Sequence, residues 1–193
     1  MSPDIGLYQT KYAVRRWLDR IPGLDRLQPN HVSIASLIPS GLAAVSLWYG
    51  WWPLVVIGIA GRMALTVMDG LLAEAYDKRS RIGPYLNRLP QEIGDITLFL
   101  ALLPWADVRW VALLLGAAWL VNVLAVLPGV AGGSPQPAGP GGQPDRIAIV
   151  LVAAAIHTFV AFDWTWVCVL LVALSIPTVA LRIARTVREL GPA

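Results

Sequence analysis

The chain has 193 residues, a mean hydropathy of +0.62, 56% hydrophobic residues and only 14% charged ones, which excludes an ordinary soluble globular domain and points to an integral membrane protein. A net charge of +3, with the basic residues gathered near the ends of apolar runs, argues against a nucleic-acid partner and suits anionic lipid headgroups. The single cysteine, Cys168, lies in an apolar run, so it forms no intramolecular disulfide, supports no cysteine metal site and reads as a packing residue.

In chain order, Leu7, Val14, Trp17, Leu18, Ile21 and Leu24 alternate with Lys11, Arg15, Arg16, Arg20 and Arg26. This predicts an amphipathic helix over 7–28 lying in the headgroup layer and retained in the mature protein, with a solvated helix packing on another protein as the competing reading. Pro29-Asn30 ends it. Six apolar segments follow at 32–49, 52–75, 85–103, 108–127, 147–162 and 164–181, each near the length that crosses hydrocarbon. Short turns at 50–53, 104–107 and 163 fall on one side, and those at 79–84 and 128–144 on the other. The glycine- and proline-rich 128–144 stretch is expected to be a mobile loop.

Thirteen of the fifteen Lys and Arg residues lie in the N-terminal segment, the 76–88 loop, the 128–146 loop or the C-terminal end. These regions and both termini are therefore expected in the cytoplasm, with tryptophans at 48, 51, 52, 105, 110, 164 and 166 marking the opposite interface. The predicted architecture is an all-α integral membrane protein, one membrane domain over 1–193: an N-terminal amphipathic interfacial helix, a six-transmembrane-helix bundle over 32–181 and a tail over 182–193. A bacterial inner membrane is the expected location.

A polar seam crosses this apolar background. Arg62, Thr66, Asp69 and Ala73 are spaced by four, three and four residues, which sets them in one stripe of the second span. Gly83, Asn87, Gln91 and Asp95 repeat the pattern at intervals of four in the third. Polar groups are costly in hydrocarbon, so such a cluster is a candidate functional site; tying two helices together is the competing role. Arg62 and Asp95, deep in the bundle, are expected to neutralise each other. Asp69, beside Gly70 and facing oxygen-bearing side chains, suits a hard divalent cation and a phosphate, with Gly70 and Gly83 admitting close approach. His157 is expected to pack or hydrogen-bond between helices.

These residues resemble the signature of the CDP-alcohol phosphatidyltransferase family, D-x2-D-G-x2-A-R-x8-G-x3-D-x3-D. The window here runs Thr66, Asp69-Gly70, Ala73-Glu74, Gly83, Asn87 and Gln91 with the spacing intact, and Pro29-Asn30-His31-Val32-Ser33 resembles the family's start to its first span. One branch is similar at further positions: Arg62-Met63, Leu86-Asn87-Arg88-Leu89, Asp95 and Gly139-Pro140-Gly141-Gly142-Gln143-Pro144-Asp145-Arg146. The resemblance implies a membrane enzyme, commonly a homodimer, that transfers a phosphatidyl group from a CDP-linked lipid such as CDP-diacylglycerol to an alcohol, using Mg or Mn.

Carried over, Asp69, Asp95 and Gln91 occupy the catalytic positions. Thr66, Gly70, Ala73, Glu74, Lys78, Arg79, Gly83 and Arg146 would contact substrate, and Asp69, Thr66, Asn87 and Asp95 would hold the cation. Thr66, Asn87 and Gln91 replace three aspartates and Glu74 an arginine; Lys78, Arg79 and Arg81 could offset the negative charge of Glu74 near a diphosphate. The expected function divides between a divergent phospholipid-synthesising transferase and a pseudoenzyme that binds lipid or CDP-lipid or partners an active enzyme, its cation site weak or absent.

Overall fold

The structure is a computed structural model that describes residues 26–191, so the predicted interfacial helix falls almost wholly outside the described residues. Those residues are helical, with no strand among them. The helices are α1 (Pro29–Ala35), α2 (Leu37–Trp48), α3 (Trp52–Ala75), α4 (Gly83–Leu100), α5 (Val108–Val126), α6 (Gln143–His157) and α7 (Thr165–Leu190), with a 3-10 turn at Leu127–Ala131 after α5. Proline stands in the first turn of α1, α3, α4 and α6, where its missing N–H has no helical partner to lose. The start of α5 is capped by Asp107, whose carboxylate accepts from the Arg109 N–H at 2.8 Å.

Four stretches are long and apolar enough to cross a membrane: Pro29–Trp48, Trp52–Ala75, Val108–Ala131 and Thr165–Leu190. The chain is thus a membrane protein. The other two expected spans do not reach that measure. Helix α4 carries Arg88, Glu92 and Asp95, and α6 has 15 residues.

Both α1 and α2 pack against α3 and α4, α6 packs on α3, and α7 on α5. The apolar core runs through their middle, with Leu47, Ile59, Phe99, Leu114, Val150 and Leu171 fully buried. Apolar side chains also face outward, among them Ile38, Trp119 and Trp166, as lipid-facing helices require. One end of the bundle is closed by aromatics. Trp52 stacks on Trp164 with centroids 5.3 Å apart, Trp105 meets Trp52 edge-on, and the Trp164 indole donates to His157 Nδ1 at 3.1 Å, so His157 packs between helices as expected.

The stretch expected to be a mobile loop is instead a strap held against α7. The Arg182 guanidinium donates to the carbonyls of Val121, Pro137 and Ala138, and Glu189 accepts from the Ser134 N–H and hydroxyl and from the Gln136 amide. The strap's own backbone also lies hard on the helix: a Cβ on Gly141 would stand 2.6 Å from the Leu174 carbonyl oxygen. Glycine there serves close approach. Composition indicates what a free segment would do; it does not register the partners waiting on α7.

Candidate functional site

At the end of the bundle opposite the tryptophans, where α3 finishes and α4 begins, lies a cavity of about 610 Å³. The two polar stripes meet beside it, with α1 joining them. Asp69 on α3 is 3% exposed, and its Oδ2 accepts from the Ser33 hydroxyl of α1 at 2.5 Å and from the Asn87 amide of α4 at 2.7 Å. Asn87 Oδ1 in turn accepts from Gln91 Nε2 at 2.8 Å. Asp69 Oδ1 has no side-chain partner, although the Gly70 backbone N–H lies beside the carboxylate.

A separate cluster sits deeper. Asp95, 2% exposed, accepts from Arg62 on one oxygen and from Gln143 Nε2 at 3.1 Å and Arg146 Nη2 at 3.4 Å on the other. Room for the Arg62 guanidinium comes from Gly94, where a Cβ would stand 3.1 Å from the guanidinium carbon. Arg146, 0% exposed, also donates to Asn122 Oδ1 at 3.0 Å and to the Gly141 carbonyl at 2.8 Å. Asn122 then donates to Glu92 at 2.6 Å, and Glu92 accepts from Arg88 at 2.6 Å. Four helices and the strap are joined by this network.

The structure brings Asp69, Gly70, Ala73, Lys78, Arg79, Gly83 and Asn87 to the cavity wall. It does not bring Thr66, Glu74, Gln91, Asp95 or Arg146 there. Glu74 is exposed and does not line the cavity. Asp95 is paired with both Arg62 and Arg146, away from the cavity wall. Sequence reasoning did not assign Asn122 or Arg182. The signal for Asn122 was a lone amide inside an apolar run, whereas nothing marked Arg182, one of three arginines near the C-terminal end.

The cation set drawn from the resemblance, Asp69, Thr66, Asn87 and Asp95, is not assembled, and among the described residues no three His, Cys, Asp or Glu side chains come together. Beside Asp69, moreover, the groups within reach, Ser33 and Asn87, are neutral and donate to its Oδ2. A hard divalent cation needs several oxygen ligands with enough negative charge. The residues present do not fit a cation held by this protein alone.

The helix arrangement is a fold already seen in a solved membrane protein. The chain is similar to phosphatidylinositol phosphate synthase PgsA1 of Mycobacterium tuberculosis. The form with CDP-DAG bound is 20% identical with a TM-score of 0.74, covering 95% of this chain and 96% of that one. The form in complex with manganese and citrate is 22% identical with a TM-score of 0.75, covering 94% and 90%. At such identity the likeness is one of fold. In sequence the chain is 33% identical over 126 residues to the inner membrane protein YnbA of Escherichia coli (strain K12), a match spanning 62% of this chain and 63% of YnbA. No family model matches the chain.

Proposed function

We propose that this chain is a phospholipid-biosynthesis protein that takes the headgroup of a CDP-linked lipid, of the CDP-diacylglycerol kind, into the Asp69 cavity. The observation that carries this reading is the cavity itself. About 610 Å³ suits a nucleotide headgroup, and its walls gather Asp69, Gly70, Ala73, Gly83 and Asn87 from the signature-like window. Six membrane passes, read from the six apolar segments, are part of the proposal, and the distribution of Lys and Arg supports placing the basic loops and the cavity end on the cytoplasmic side of an inner membrane. A homodimer is part of the proposal on the strength of the resemblance alone.

The reaction open to such a ligand is phosphatidyl transfer. An alcohol oxygen bonds to the phosphatidyl phosphorus, the bond from that phosphorus to the CMP oxygen breaks, and the hydroxyl proton passes to Asp69, the carboxylate of the cavity wall with an oxygen free of side-chain partners. A second reading, binding without transfer, is favoured by the fate of the other carboxylates: Asp95 and Glu92 are both filled by arginine and amide donors. CMP release from CDP-diacylglycerol by the purified protein, over a panel of alcohols that includes phosphorylated ones, decides between them. Release that disappears in Asp69→Asn supports transfer. Binding of CDP with no release leaves the second reading, and neither binding nor release overturns both.

A further inference from the structure

Within that CDP-lipid reading, we infer that the cavity grips the ligand's diphosphate directly with basic side chains and does so without a divalent cation. Lys78, Arg79 and Arg88 line the walls with Asp69 as the lining carboxylate; Lys78 also donates to the Leu27 carbonyl and Arg88 pairs with Glu92, which leaves the lining net positive. That balance is the reverse of a cation site. It attracts an anion before any metal is bound.

The reason lies in how each charge is held. Asp69 Oδ2 is committed to Ser33 and Asn87, which leaves a cation only Oδ1, and among the described residues no three His, Cys, Asp or Glu side chains gather there to complete its coordination. Asp95, the next carboxylate along the seam, is neutralised by Arg62 and Arg146. Glu92, outside the cavity lining, holds Arg88 Nε at 2.6 Å and the Asn122 carbonyl accepts from Nη2 at 3.3 Å, which fixes that guanidinium at the cavity. Fixed arginine and lysine side chains stabilise a transferring phosphoryl group through charge-assisted hydrogen bonds, as a cation does. Gly70 completes the site. It lines the cavity, and a Cβ there would meet nothing within 4 Å, so this glycine is not required by packing.

The test is calorimetric titration of the purified full chain in detergent with CDP, and separately with inorganic pyrophosphate, in EDTA and then in Mg²⁺. The expected result is CDP binding in EDTA with an affinity within about threefold of that in Mg²⁺. Arg79→Gln, at an exposed position tolerant of change, and Arg88→Gln should each weaken it roughly tenfold or more, as loss of charge-assisted bonds does, with affinity falling steeply in salt. Manganese added alone should show no uptake by electron paramagnetic resonance. CDP binding that requires Mg²⁺, or that ignores salt and Arg79→Gln, overturns the inference while leaving the CDP-lipid reading standing. No CDP binding in either buffer overturns both.

Discussion

Two buried aspartates on facing helices have opposite fates. Asp95 has both oxygens filled, one by Arg62 and the other by Gln143 and Arg146. Asp69 has one oxygen filled by neutral donors and the other without a side-chain partner, at the edge of a cavity. Both are almost equally inaccessible, at 2% and 3% exposure, so burial does not distinguish them. What differs is the charge of the neighbours. A carboxylate surrounded by guanidinium groups is part of the framework, because its charge is already cancelled, whereas a carboxylate held by a hydroxyl and an amide keeps its negative charge and an oxygen that can accept a proton at the cavity.

The contrast predicts its own largest effect. Asp95→Ala leaves Arg62 and Arg146 facing each other in the interior with no anion between them, and thermal unfolding in detergent should show a loss of about 3–5 kcal/mol. Asp69→Asn should change stability by less than about 1 kcal/mol. It should retain CDP binding and lose CMP release. If the two variants prove equally destabilised, the distinction between framework and site fails.

Next in size is the strap. Arg182 is 3% exposed and holds three backbone carbonyls, so Arg182→Ala should cost about 1–3 kcal/mol and expose the 132–142 segment to limited proteolysis. Unchanged protease resistance would show that Glu189 and Gly141 suffice to seat it. Smaller still, and opposite in sign, is Gly70→Ala. An alanine in mid-helix that touches nothing should raise stability by about 0.5–1 kcal/mol, while its methyl group takes cavity space and weakens CDP binding.

The smallest effect belongs to the turn before α7, at the end away from both aspartates. There the Asp163 carboxylate accepts from the Thr165 backbone N–H at 2.8 Å, which holds its pKa below the ordinary aspartate value of 3.8. A pKa depressed in the folded state stabilises fully above that ordinary value, and the contribution is lost as pH falls through the folded-state value. A small difference in unfolding temperature between the protein and Asp163→Ala should therefore be present near neutral pH and shrink on acidification below 3.8. A difference that grows instead would reverse the assignment.

The sequence by itself determined the membrane setting, the helices and the two polar stripes, because hydropathy and a spacing of three or four residues are properties of local chain. The meeting of Arg62 with Asp95 was legible for the same reason: two opposite charges at matching depth in adjacent apolar runs have few other partners. Only tertiary structure decided that Arg146 and Gln143 close over Asp95, that Arg88 lines the cavity and Glu74 does not, and that Arg182 draws a glycine- and proline-rich segment onto α7. Those outcomes depend on which helix faces come together across long stretches of chain, as in the 51 residues between Arg146 and Asp95 and the 61 between Arg182 and Val121. A charge in the sequence carries its sign; the neighbours that cancel it or leave it free exist only once the helices have packed.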